Sequence, residues 1–183
     1  TEESNTTLQP KGLFLLDSGG QYFDGTTDIT RTFAVGELTE EAKYHFTTVA
    51  RAMIRLSGVK FLYGVNGYYL DILARGILWN EGLNYNHGTG HGIGHVLNVH
   101  EGPNGFRCDN PNLATLEEGM ITTSEPGFYA AGSHGIRLEM EMLCEKGEKN
   151  EFVQLMEFEP LTIAPKDLDP INFDLMKEDE KES

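Results

Sequence analysis

Glycine fills every second position of residues 88–94, and histidines stand around this run at 87, 91, 95 and 100. A backbone stripped of Cβ atoms at this density can take unusual dihedrals and pass close to a ligand, freedoms that a packed helix or strand does not require. Imidazoles bind borderline metals and move protons near neutral pH. Placing four of the six histidines in residues 87–100 therefore points to chemistry. The alternative is a Gly-rich surface loop with incidental histidines. A zinc helix of the HExxH type is excluded, because Gly88 follows His87 and no Glu stands between the histidines.

Composition narrows what that chemistry works on. The 183 residues suffice for one sizeable domain, and 39% apolar content is ordinary for a globular core. A net charge of −15 argues against nucleic acid or an anionic membrane as the main partner, whereas clustered carboxylates can hold divalent cations. Cys108 and Cys144 lack CxxC spacing and read as reduced residues, with an oxidised pair left open. No basic-plus-apolar leader stands at the start and no run is long enough to span a membrane, so a cytoplasmic protein is expected. The first residue is Thr1, and residues 177–183 form a charged, helix-like end without a cap, so a piece of a longer chain is expected.

Residues 12–17 form an apolar run stopped by Ser18, Gly19 and Gly20, the pattern of a buried strand entering a turn, with Asp17 at the strand end. Residues 22–33 carry an Asp24-Gly25 turn followed by β-branched residues, a hairpin signature. If the hairpin folds back on the first strand, Asp17 and Asp28 can face each other. The alternative leaves both solvated, which suits Asp17, beside an apolar run, less well.

Thr39 caps a helix with apolar positions at Ala42, Phe46, Val49, Ala50, Met53 and Ile54. A second helix is expected over residues 69–80, burying Leu70, Leu73, Ala74, Ile77 and Leu78. Both are scaffold, and His45 is read as a surface or half-buried structural histidine. Strand 120–125 ends at Glu125, where Pro126-Gly127 breaks it. Residues 135–143 alternate, with Arg137, Glu139, Glu141 and Leu143 on one face and Ile136, Leu138, Met140 and Met142 on the other. The charged face is either a solvated exterior or a polar site inside a curved sheet. A final strand is expected over residues 152–163.

Asp17, Asp28, His91, Glu125 and Glu139 thus all fall in strands or near their ends. Four carboxylates and one neutral imidazole carry a charge that two divalent ions balance, with room for a bridging water or hydroxide. Without metal the carboxylates would repel one another and be driven toward protonation.

The motifs 17–32 (Asp-Ser-Gly-Gly-Gln-Tyr-Phe-Asp-Gly-Thr-Thr-Asp-Ile-Thr-Arg-Thr), 87–94 (His-Gly-Thr-Gly-His-Gly-Ile-Gly), 98–103 (Asn-Val-His-Glu-Gly-Pro), 124–129 (Ser-Glu-Pro-Gly-Phe-Tyr) and 135–139 (Gly-Ile-Arg-Leu-Glu) closely resemble, in order, those of the pita-bread metallopeptidases. Among these they are most similar to the Xaa-Pro aminopeptidases (aminopeptidase P), over residues 12–165. The nine-position spacing from the metal histidine to the next motif histidine matches the long, multidomain form better than the methionine aminopeptidases. The resemblance implies an α+β pita-bread (creatinase/aminopeptidase) fold, a curved antiparallel sheet flanked by helices, here N-terminally truncated.

It further implies that Asp17, Asp28, His91, Glu125 and Glu139 bind two divalent ions, with Asp28 and Glu139 bridging. The ions are usually Mn²⁺, with Zn²⁺ or Co²⁺ as substitutes, and the oxygen-rich donor set suits Mn²⁺. A bridging water, acidified by the ions, would attack the carbonyl of the bond preceding proline, releasing the N-terminal residue from peptides with proline in second position. Glu125 would take and relay the proton. His100 would contact substrate near the scissile bond, His87 would line the proline pocket, and His91 would also border the substrate. Arg137 would orient Glu139 or a neighbouring carboxylate. His95 and His134 are weaker candidates for substrate contact.

By the same resemblance, residues 1–183 are part of a C-terminal catalytic domain, with residues 1–11 a connecting loop and residues 166–183 the start of a C-terminal extension. A further substrate histidine and the N-terminal domains that limit access and help make a homodimer would lie upstream. The alternatives are a prolidase or other pita-bread hydrolase, or a non-catalytic member that binds peptides or proteins.

Overall fold

The computed structural model describes residues 2–181. In chain order the elements are β1 (Leu13–Tyr22), β2 (Gly25–Ala34), α1 (Glu40–Ser57), β3 (Phe61–Leu62), α2 (Gly67–Asn80), β4 (Gly90–His91), β5 (Gly105–Phe106), β6 (Ile121–Ser124), β7 (Gly127–Ala130), β8 (His134–Arg137), β9 (Met140–Lys149), β10 (Gln154–Pro160) and α3 (Glu178–Lys181). The charged tail expected over residues 177–183 is the single turn α3, and residues 182–183 lie outside the described residues.

The helices form where caps and apolar stripes coincide. Thr39 accepts a hydrogen bond from the Ala42 amide at the start of α1, and Gly58 closes it by donating to Ile54 O. Phe46, Val49, Met53 and Leu56 on its inner stripe are fully buried. At roughly 1.5–3 kcal/mol for each large side chain, this packing outweighs any propensity difference along the helix. Helix α2 begins two residues earlier than the apolar pattern predicts, because the start is set by a polar cap: Asn66 Oδ1 accepts from the Tyr68 amide. Gly67 is required there, since a Cβ would lie 1.7 Å from Gly105 O.

Both helices join one apolar cluster with a four-stranded sheet of order β3-β10-β9-β6. Every strand pair is antiparallel: β1 with β2, β4 with β5, β7 with β8, and those within the sheet. The expected α+β class with an antiparallel sheet and flanking helices is the one observed.

Two strand expectations are corrected. The first strand does not end at Ser18-Gly19-Gly20. It runs on to Tyr22 in unbroken register with β2, from Leu13↔Ala34 to Tyr22↔Gly25, so Asp17 sits mid-strand. Cross-strand hydrogen bonds carry the glycines, which would favour a turn in isolation. Nor is this strand buried: Phe14 and Leu16 are exposed. The alternating stretch 135–143 is two strands, β8 and β9, broken at residues 138–139. At the break Glu139 N donates to Thr30 O at 3.0 Å, which draws the bend against β2. The alternation itself holds: Ile136, Leu138, Met140 and Met142 enter the core, while Glu139 and Glu141 are buried on the opposite side. The charged face is therefore internal.

Arg31 fixes the hairpin to the rest of the molecule. Its guanidinium donates to Glu139 O at 2.5 Å, Ala164 O at 2.7 Å and Pro165 O at 3.2 Å. His45 is buried rather than superficial, 3.0 Å from His134 through ring nitrogens and packed on Phe128. Cys108 and Cys144 are both free thiols, which removes the disulfide option.

Candidate metal centre

Four structural units deliver the acidic and imidazole side chains to one place. In the hairpin, Asp17 is paired with Thr30 and Asp28 with Gly19, so both aspartates lie on one face, two residues apart along the ladder. Asp28 is held from behind, its amide donating to Glu141 Oε1 at 2.7 Å. At the β8–β9 break, Glu139 is 1% exposed and accepts from Thr30 Oγ1 at 2.7 Å. Between β6 and β7, Glu125 is positioned by its amide, which donates to Thr89 O at 2.7 Å.

His91 comes from a fourth unit, the glycine loop. Gly90 lets this loop lie flat against β6, since a Cβ would stand 1.9 Å from Thr123 O. The His91 amide then donates to Thr123 Oγ1 at 3.1 Å. The ring Nδ1 is 3.0 Å from Gly92 O; a carbonyl can only accept, so Nδ1 carries the hydrogen. In the neutral ring this leaves the Nε2 lone pair pointing into the cluster, 3.2 Å from Glu125 Oε1 and 3.5 Å from Asp28 Oδ2. Nε2 is buried and meets neither oxygen with hydrogen-bond geometry.

A lone pair facing two carboxylates requires a cation between them, either a proton or a metal. With protons alone, burial pulls the His91 pKa down, but Asp28 and Glu125 outweigh it and push the ring up to about 10. Burial, reinforced by Glu125, Asp28 and Asp17, pushes Glu139 up to about 8 against the Thr30 hydrogen bond. The donors also satisfy a direct geometric test. Ligand atoms lie within 4.8 Å of one another in three groups: Asp17–Asp28–Glu139, His91–Glu125–Glu139 and Asp28–His91–His100. The first two share Glu139, and Asp28 appears in the first and third. This arrangement fits two adjacent divalent cations with shared carboxylates.

The remaining candidates separate by location. His100 is exposed, its ring edge against His91 at 4.1 Å between centroids, which brings it to the open side of the cluster. His87 does not reach the carboxylates directly. Its Nδ1 donates to Gly88 O, so its Nε2, 2.9 Å from Tyr129 Oη, accepts. Tyr129 in turn accepts from Arg137, which ion-pairs with Asp17 at 2.5 Å. A polar chain His87–Tyr129–Arg137–Asp17 thus rims the site. Arg137 does not touch the Glu139 carboxylate. It grips Asp17 and reaches Glu139 only through Thr30 Oγ1, to which it donates at 3.2 Å. His95 is exposed, and its carbonyl accepts weakly from Gln21 and Thr26. His134 is paired with His45 on α1, outside the cluster.

Thr30, Thr123, Tyr129 and Thr89 were not singled out by the sequence pattern. A signal existed for one neighbouring group: Asp71 and Arg75 stand four apart on α2, within the apolar stripe of Leu70, Ala74 and Leu78, where charges are not expected.

A model of metallopeptidase family M24 matches residues 1–146. The chain belongs to this metallopeptidase family. It is 41% identical over 184 residues to Xaa-Pro aminopeptidase 1 of Dictyostelium discoideum, a match over 98% of this chain and 29% of that protein. It is 44% identical over 181 residues to aminopeptidase P1 of Lotus japonicus, covering 97% and 27% respectively. Among solved structures, X-prolyl aminopeptidase from Caenorhabditis elegans, described as a cytosolic enzyme with a di-nuclear active site, superposes with a TM-score of 0.87 at 40% identity, covering 92% of this chain and 27% of that one. The prolidase of Pyrococcus horikoshii OT3 has a TM-score of 0.76 at 30% identity, over 90% and 44%. The M24 chain thus has the pita-bread fold that its motifs resemble, and it spans less than a third of the length of these curated relatives. Among the described residues no helix is long and apolar enough to cross a membrane.

Proposed function

We propose that this M24 chain carries the metal-binding part of a dinuclear aminopeptidase that releases the N-terminal residue from peptides with proline in second position. The observation that carries this reading is the convergence of Asp17, Asp28, Glu125 and Glu139 around a buried His91 Nε2 without a hydrogen-bond partner. Two divalent ions bound by these five residues would supply an acidified water and polarise a peptide carbonyl. An oxygen-rich set with one nitrogen suits Mn²⁺, with Zn²⁺ or Co²⁺ as substitutes.

The chain's own residues divide the remaining tasks. Glu125, beside His91, takes the proton released as water attacks and returns it to the leaving amine. His100, on the open side, donates to the substrate carbonyl. His87, oriented by Tyr129, borders the proline ring, and His91 adds to the same wall. Arg137 fixes Asp17, and through Thr30 it steadies Glu139. The acidic surroundings hold the free amino terminus of the peptide.

The same reading makes residues 1–183 part of a C-terminal catalytic domain of a longer, cytoplasmic, homodimeric protein. Residues 1–11 are then a connecting loop and residues 166–183 the start of a C-terminal extension. The share of the relatives' length that the chain covers supports this.

The test uses the protein at its natural full length with Mn²⁺, measuring metal content and release of the first residue from a Xaa-Pro-Xaa tripeptide. Two ions per chain and tripeptide cleavage are expected. Cleavage of Xaa-Pro dipeptides alone would make it a prolidase, the reading that the likeness to the Pyrococcus enzyme favours. Met-Ala cleavage alone would move it to another branch. A parent that holds no ions and cleaves none of these peptides, with Asp28→Asn indistinguishable from it, would leave a peptide-binding member of the fold.

A further inference from the structure

A second polar cluster lies behind the histidine loop, fully inside the protein. Asp71 and Arg75 on α2 are 0% and 4% exposed. Arg75 Nε donates to Asp71 Oδ2 at 2.7 Å. The rest of the guanidinium reaches into the loop, with Nη1 donating to Tyr85 O at 2.8 Å and Nη2 to His87 O at 3.1 Å. It also lies over the Tyr85 ring, 4.1 Å from its centroid. Thr89 completes the group: its buried hydroxyl donates to Asp71 Oδ1 at 2.6 Å. With that hydrogen used, the 2.5 Å contact with Tyr85 has the tyrosine as donor.

The backbone of Thr89 ties this cluster to the metal centre. Its amide donates to Phe106 O, and its carbonyl accepts from the Glu125 amide at 2.7 Å. Thr89 therefore stands between His87 and His91 in sequence and against Glu125 in space. A buried ion pair is weak evidence for stability, since apolar replacements of similar volume often serve as well. Its distinguishing feature here is geometric: one planar fork holds the carboxylate on the helix and two carbonyls of the loop together.

We propose that Asp71, Arg75 and Thr89 are positioning residues that set His87, His91 and Glu125 as one unit, coupling the metal ligands to the substrate wall. This rests on the assignment of His91 and Glu125 as metal ligands. Outer partners that orient ligands change metal affinity or activity by about 10–100-fold when removed.

Two nearly isosteric changes discriminate positioning from packing, because Thr89→Val keeps volume and loses the hydroxyl, whereas Thr89→Ser keeps the hydroxyl and loses the methyl. In the full-length protein, Thr89→Val is expected to weaken Mn²⁺ binding by about 10–100-fold and lower kcat, with Thr89→Ser close to the parent. Arg75→Lys, which keeps the charge but not the fork, should follow Thr89→Val. Hydrogen exchange supplies a readout independent of metal: the Glu125 amide and residues 87–91 should lose protection in Thr89→Val while the α1 core keeps it. The reverse order, with Ser harmful and Val harmless, would overturn the proposal, as would unchanged exchange at Glu125. A parent protein that binds no metal would instead sink the aminopeptidase reading, and the exchange comparison would still decide whether the network positions Glu125.

Discussion

Residues 87–91 and residues 95–100 belong to one loop and share its histidines, yet the protein holds them by different means. The first half is fastened from inside, by Arg75 on the His87 carbonyl, by Thr89 against Asp71 and Glu125, and by Thr123 on the His91 amide. The second half lies outside. Val96 and Leu97 are exposed, Leu97 has a φ of 65°, and its amide is held by the exposed side chain of Gln21. Buried, fully paired backbone opens only at high free energy, whereas exposed hydrogen bonds open easily. A metal ligand needs a fixed position and a substrate group can tolerate adjustment, which suits the proposed ligand His91 to the held half and the proposed substrate contact His100 to the exposed one, while His87, proposed for the substrate wall, shares the held half.

The largest effect is expected at His91. His91→Ala removes the only nitrogen among the five proposed donors, so metal analysis should show lost ions, and kcat/KM should fall by more than the roughly 10–100-fold of an outer-partner change. His100→Ala should lower kcat by about 10²–10³-fold, the scale of one lost donor to a developing oxyanion, with both ions still bound. Ion loss there would break the comparison, because it would make the outer half a ligand segment through the group Asp28–His91–His100. Relieving the left-handed leucine is smaller. Its strain is roughly 1–2 kcal/mol, partly offset by glycine entropy, so Leu97→Gly should raise Tm slightly.

His45, outside the loop, provides a control for acid sensitivity. Burial first, then His134, holds its pKa below the ordinary 6.5. The unfolded chain therefore binds more protons as pH falls below about 6.5, and the stability this neutral ring provides is present above that pH and lost below it. Denaturant titrations should show a shallower decline below pH 6.5 in His45→Gln than in the parent. The smallest effect is assigned to His95: His95→Ala should leave metal content unchanged and stability within about 0.5 kcal/mol, as for an ordinary surface change.

Much of this arrangement is legible in the sequence. The caps at Thr39, the apolar stripes of both helices and the alternation over residues 135–143 are local patterns, and they appear where the chain places them. The Gly19-Gly20 turn signal is overridden, because such a signal is local while a strand is completed by its partner, here β2. For Arg137 the motif left open whether Glu139 or a neighbouring carboxylate is its partner, and only the packing of β8 beside β1 selects Asp17, since a guanidinium reaches across strands whose register no motif specifies.

By itself the sequence marked the proposed donors and the family to which the chain belongs. Glycines that admit a close backbone and the acid Glu125 beside the Pro126-Gly127 break are written residue by residue. Tertiary structure alone decided which histidines are held and which are exposed. The physical reason is that Asp71, Arg75, Thr89 and Glu125 lie up to 54 positions apart in the chain (125 − 71) and act on the loop only once α2 and β6 have packed around it. The glycine run can take many paths, and the buried network behind it selects one.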